Sequence, residues 1–131
     1  MTTPTQLSLA HLRQAGWIVD ICERWVPNGG RGVDAGGGIR RDLFGLVDLV
    51  AVRDGETLGV QTTSAANVAA HLSKMTDDEH APALAALRAA GWTLVIHGWR
   101  KSTRDGHACG HGSNARCGCR WALHRFVEVT T

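Results

Sequence analysis

Two periods of hydrophobic spacing run along the chain, and each change of period marks an element. Over residues 5–15, Leu7, Leu9, Ala10 and Leu12 return to one side of a helix, and Gly16 stands where a helix-ending glycine belongs. The period then drops to two. Trp17, Val19 and Ile21 alternate with Ile18, Asp20 and Cys22, which predicts a strand over 17–25. Residues 44–53 form a near-continuous apolar run interrupted by Gly45 and Asp48, followed by the hairpin signal Asp54-Gly55 and a return strand over 57–63. The small residues of 65–74 predict a helix. Asp77, Asp78 and Glu79 then place negative charge where the N-terminus of a further helix, 82–90, favours it.

The segment Leu87-Arg-Ala-Ala-Gly-Trp92 repeats the local solution of Leu12-Arg-Gln-Ala-Gly-Trp17: a helix, a glycine cap, then a strand opening on tryptophan. Strands over 92–99 and 121–129 complete the pattern, the second with Trp121, Leu123, Val127 and Val129 in alternation. The order is α-β-β-β-α-β with an extra helix and a final strand. It predicts an α/β fold, a mixed central β-sheet flanked by helices.

At 131 residues, 44% hydrophobic and 20% charged, the chain suits one domain, 1–131, around one core. No apolar run approaches the roughly 20 residues of a membrane span. The opening Met1-Thr-Thr-Pro-Thr-Gln shows no basic flank leading into an apolar stretch, so a cytoplasmic location is expected. A net charge of +2 names no partner by itself, but the basic residues cluster. Arg24, Arg31, Arg40 and Arg41 surround the glycine-rich segment 27–38, and Arg100, Lys101, Arg104, Arg116, Arg120 and Arg125 gather near the C-terminus. Clustered arginine suits phosphate, which makes Arg31, Arg40, Arg41, Arg100 and Lys101 candidate nucleic-acid contacts. The glycine-rich segment lacks GxxxxGK[ST], which argues against a P-loop.

Asp48 breaks an otherwise buried strand. An unpaired carboxylate there is costly, so it calls for a cation or hydrogen bonds. Across the Asp54-Gly55 hairpin, Gln61 and Thr63 share one face of the return strand and fall beside Asp48. An acid on one strand, a turn, then a (D/E)-x-K tripeptide on the next strand is the signature of the PD-(D/E)XK nuclease superfamily. Residues 41–48 and 58–64 resemble that core, and are similar to its small phage resolvase-like and VRR-NUC-like branches, with a degenerate D…QxT motif.

The resemblance implies a restriction-endonuclease-like αβββαβ core and Mg²⁺- or Mn²⁺-dependent hydrolysis of DNA phosphodiesters, on branched or single-stranded substrates. It places Asp48 as the metal-binding aspartate, Gln61 at the second acidic position and Thr63 at the lysine position. Glu23 matches an upstream carboxylate that some members use. Lys74, on the following helix, is the candidate for a displaced lysine, and His71 on that helix a candidate base. It further implies a bacterial or phage-infected cytoplasm, and a homodimer as one expected assembly. Two departures stand out: glutamine lacks glutamate's charge, and threonine cannot replace the lysine ammonium.

The Cys/His-rich segment 102–120 holds a second constellation. His107, Cys109, His111, Cys117 and Cys119 fall among turn glycines with almost no apolar side chains. Such a loop cannot be ordered by a core of its own. Structural Zn²⁺ on Cys109, His111, Cys117 and Cys119, with His107 as the alternative fourth ligand, would order it as a hairpin. The cytidine-deaminase pattern, His-x-Glu before Pro-Cys-x-x-Cys, is missing. Two functions are therefore carried forward: a metal-dependent endodeoxyribonuclease, or an inactive module of the same fold, stabilised by zinc, that binds nucleic acid or protein.

Overall fold

The computed structural model describes residues 2–27, 38–102 and 119–130. Helix α1 (Pro4–Gln14) opens on a reciprocal cap. Thr3 Oγ1 accepts from the Gln6 N–H at 3.2 Å, and Gln6 Oε1 accepts from the Thr3 N–H at 3.1 Å, with Pro4 in the first turn. It closes as the glycine signal requires. Gly16 has φ +90°, its N–H donates to Arg13 O, and the Trp17 N–H donates to Leu12 O.

Five strands form the main sheet, in the order β1 (Ile18–Ile21), β4 (Leu49–Arg53), β5 (Glu56–Ser64), β6 (Trp92–Ser102) and β7 (Arg120–Glu128). The β5–β6 pair is parallel and the others are antiparallel, so the sheet is mixed. The parallel crossover runs through a 3₁₀ turn (Ala65–Asn67), α2 (Val68–Met75) and α3 (Ala81–Ala89). Central β5 is buried continuously from Leu58 to Thr63, as expected of a strand covered on both faces.

The two faces carry separate cores. Leu12 of α1 packs with Val19, Leu49, Ala51, Leu58, Val60 and Val95. On the other face Val68, Met75, Leu84 and Leu87 of α2 and α3 pack with Leu46, Val47, Leu94, Ile96 and Val129. The molecule is an α/β sandwich in which the sheet lies between α1 and the α2–α3 pair.

The strand expected over 17–25 divides. After Ile21 the chain leaves the main sheet, and β2 (Arg24–Pro27) pairs antiparallel with β3 (Gly38–Arg41) in a separate two-stranded ribbon. The strand expected over 44–53 begins only at Leu49. Residues 42–47 turn back on themselves, with Gly45 N–H to Asp42 O at 3.1 Å and a Leu43–Val47 bridge. Gly45 has φ +70° and Phe44 φ +57°, and Phe44 is 59% exposed. The apolar run therefore mixes two environments, a turn with Phe44 outside and Leu46 and Val47 in the core. Periodicity alone does not separate them.

Candidate metal centre

The turn at 42–47 and the break at residues 22–23 converge at one end of the sheet. Asp48 stands just before β4, with its N–H on Val60 O at 2.9 Å and its carbonyl accepting from the Cys22 N–H at 2.8 Å. It is thus held between β5 and the chain leaving β1. Glu23 directly precedes the outgoing arm of the ribbon, and Asp42 directly follows the returning arm. Carboxylate oxygens of Glu23, Asp42 and Asp48 all lie within 4.8 Å of one another. Asp48 is 4% exposed, while Glu23 and Asp42 are half-buried.

The Asp48 carboxylate is oriented by Thr62, whose backbone N–H and hydroxyl donate to Oδ2 at 2.8 and 3.1 Å. Since the Thr62 hydrogen goes to Asp48, Thr5 of α1 is the donor in the 2.8 Å Thr5–Thr62 contact. The chain Thr5–Thr62–Asp48 ties the acid to the helix on the far face. Burial, followed by the Asp42 carboxyl within hydrogen-bond reach, pushes the Asp48 pKa up to about 7, against the opposing pull of the Thr62 N–H. Without a cation Asp48 keeps its proton to a higher pH than an isolated carboxylate does.

Gln61 and Thr63 lie on the α2 side of β5, and both are buried. Gln61 Nε2 is 3.3 Å from His71 Nδ1 on α2. His71 is kept below its usual pKa by burial and then by the positive charge of Lys74, while Asp42 opposes the shift. The ring is thus neutral and Nδ1 accepts from the Gln61 amide. Among the described residues, Gln61 Oε1 is the buried side-chain atom left without a hydrogen-bond partner. Such an atom costs on the order of 1–3 kcal/mol unless a ligand meets it.

The structure therefore brings Glu23, Asp42, Asp48, Gln61, His71 and Lys74 to one neighbourhood. Asp42 is the member the sequence reading missed. Its only signal was an acid immediately before the turn at 43–45, and the strand expected over 44–53 would have carried it away from Asp48. Thr63 shares the Gln61 face and brings no charge. Asp48 bonds to Thr62, and among the described residues neither to Thr63 nor to an arginine.

The candidate basic contacts divide. Arg41 is exposed on β3 opposite Arg24 of β2, and Arg40 belongs to the same ribbon. Like charges directly opposed across a ribbon repel unless an anion lies between or near them. Arg100 Nε lies 3.3 Å from Ser102 Oγ, and Lys101 Nζ sits over the Trp121 ring at 5.6 Å. Arg31, His107, Cys109, His111 and Cys117 lie outside the described residues, and Cys119 stands just before β7. No helix among the described residues is long and apolar enough to cross a membrane.

The donor set suits a hard divalent cation: carboxylates, an amide oxygen and half-buried access. Comparison with protein-family models, with curated proteins and with solved structures finds no match to this chain.

Proposed function

We propose that the protein is a divalent-metal-dependent nuclease of the PD-(D/E)XK type, acting on DNA. The carrying observation is the Glu23, Asp42, Asp48 cluster, with Gln61 on the neighbouring strand keeping a buried, unpaired Oε1. Asp48, Asp42, Glu23 and Gln61 would hold Mg²⁺ or Mn²⁺, and Asp42 would supply the charge that Gln61 lacks. When bound, the cation supplies Lewis-acid stabilisation of charge on the phosphate and a more acidic water. Thr62 keeps the Asp48 carboxylate turned toward the site. His71 Nδ1, the ring nitrogen that accepts from Gln61, would take up a proton once that contact is released, and Lys74 beside it would provide the positive charge that Thr63 does not. The opposed Arg24 and Arg41, on a ribbon whose feet are Glu23 and Asp42, would bring the phosphate backbone to the acids.

The order of elements in the main sheet, α1-β1-β4-β5-α2/α3-β6, supports the restriction-endonuclease-like reading. The β6–β7 register closes at Ser102 opposite Arg120, and the Cys/His-rich segment between them lies outside the described residues. Zn²⁺ on Cys109, Cys117, Cys119 and His111 or His107 would order it. The catalytically inactive, zinc-stabilised binding module remains the second reading. It is favoured by Thr63, which puts no ammonium on β5.

The test is cleavage of branched, single-stranded and duplex DNA with Mg²⁺ and with Mn²⁺. Turnover that Asp48→Ala and Asp42→Ala each abolish supports the nuclease. Salt-sensitive DNA binding without turnover under either metal would leave the binding module.

A further inference from the structure

Helix α1 covers only part of the sheet face beneath it, because it crosses that face obliquely. Near its start, Thr5 meets Thr62 of β5. One turn on, Ser8 Oγ lies 2.9 Å from His97 Nδ1 and accepts from Trp99 Nε1–H at 2.8 Å, both on β6. Its end is drawn to β4, where Arg53 Nη1 donates to Ala15 O at 2.6 Å. The helix thus leans away from β7 toward its C-terminus. What it leaves open is a groove of about 520 Å³ between α1 and β7, over the starts of β5 and β6.

The groove has an apolar middle and acidic ends. Leu58 and Val95 form its floor, and Trp17 and the 59%-exposed Phe126 stand as aromatic walls. Glu56 and Glu128 line it too. Both are exposed, and among the described residues neither has an ion-pair partner. Register sets the two acids apart. Val60, Val95 and Glu128 share one row across three strands, while Glu56 lies four residues before Val60 on β5. Two strand spacings across and four residues along put the Cα atoms of the two glutamates roughly 16 Å apart.

Fixed charge in the groove has one sign. No lysine or arginine lines it, and burial, with His11 adding to it, lowers the pKa of the lining His97 to about 4 and keeps that ring neutral. Two helices end at the groove, α1 through Ala15 and α3 through Gly91, and a helix C-terminus carries negative partial charge. A cation of the chain itself already uses this field: the Arg53 guanidinium binds the Ala15 carbonyl and lies over the Trp17 ring at 4.2 Å.

We propose that the groove binds a linear polyamine, with its terminal ammonium groups on Glu56 and Glu128. Its methylenes would lie along Leu58 and Val95, and an inner ammonium would face the Phe126 ring. Two acids set far apart, with apolar floor between them, select length as well as charge. A compact cation meets one acid at a time and buries none of the floor. The volume lies within the ~300–1,000 Å³ range of small-ligand sites. The groove sits toward the opposite end of β5 from Thr62, which holds Asp48, and does not rest on the nuclease reading.

The test is calorimetric titration of the full chain with spermine, spermidine, putrescine and hexaamminecobalt(III) at pH 8 and low ionic strength. A Kd on the order of 0.1 mM is expected for spermine. Putrescine, too short to join the two acids, should bind more weakly by roughly tenfold, with spermidine between them. Glu56→Gln and Glu128→Gln, both at exposed positions, should each weaken spermine by roughly tenfold and shrink its advantage over putrescine. Phe126→Ala should weaken it by roughly threefold. Glu79→Gln, an exposed acid elsewhere, and Asp48→Asn should both bind as the wild type does. Spermine left unbound at millimolar concentration would overturn the proposal. So would hexaamminecobalt(III) binding as tightly as spermine, which reduces the effect to charge alone. Loss of binding in Asp48→Asn with both glutamine variants unchanged would likewise overturn it and move the cation to the acids around Asp48.

Discussion

Replacing Asp48 by asparagine should stabilise the metal-free protein at alkaline pH while removing its response to divalent cations. The native pKa of about 7 exceeds the carboxylate reference value of 3.8. Between those values the folded state keeps a proton that the unfolded state has released, so this group makes stability fall as pH rises through the window. At 1.36 kcal/mol per pH unit, roughly 2–3 kcal/mol is lost between pH 5 and pH 8, and about 4 kcal/mol across the whole interval. An asparagine side chain does not titrate, and its oxygen can still accept from Thr62. His97, depressed to about 4, makes stability rise as pH rises toward the usual histidine pKa, but it does so equally in both proteins.

The assay is urea unfolding of wild type and Asp48→Asn at pH 5 and pH 8, in magnesium-free buffer and then with added MgCl₂ or MnCl₂. Chelators are left out so that the proposed zinc site is not a second variable. The variant should gain roughly 2–3 kcal/mol on the wild type in going from pH 5 to pH 8 without metal. Added cation should stabilise the wild type alone. A variant whose difference from wild type is the same at both pH values would refute the raised Asp48 carboxyl.

Further outcomes follow from the same geometry. Gln61→Glu puts a carboxylate in place of the unpaired amide oxygen and should tighten Mn²⁺ by on the order of tenfold, read by isothermal titration calorimetry. A Cβ on Gly98 would lie 2.5 Å from Val68 Cγ2 and 3.1 Å from Ala65 Cα, so Gly98→Ala should cost about 1–3 kcal/mol in urea unfolding. Cys117→Ser should take zinc from one ion per chain to none by elemental analysis and lower Tm. An unchanged zinc content would remove the zinc-ordered loop.

Much of the architecture was legible because the signals were local. The echo Leu12–Trp17 and Leu87–Trp92 carried two helix ends into two strand starts, and Gly16 and Gly91 both adopt φ +90° as caps. Asp54-Gly55 fixed the β4–β5 hairpin, and with it the placing of Asp48 beside β5. What escaped was set by tertiary contacts. The chain leaves the main sheet only after Cys22, whose N–H still goes to Asp48 O, a partner 26 residues away. The β2–β3 ribbon depends on the same departure, and Asp42 joins the acids only because Phe44 and Gly45 adopt positive φ. A positive φ at Phe44 is not something a phenylalanine advertises. The Ser8–His97–Trp99 chain unites residues about ninety positions apart, and no periodicity connects them.

The most direct measurement is Mn²⁺ binding by electron paramagnetic resonance at pH 8, on wild type, Asp48→Asn and Asp42→Asn. The expected result is one Mn²⁺ per wild-type chain, displaced by Mg²⁺, with either substitution weakening it at least tenfold. A wild-type chain that leaves Mn²⁺ free at millimolar concentration, or a site untouched by both substitutions, would contradict the assignment of Glu23, Asp42, Asp48 and Gln61 as a cation centre.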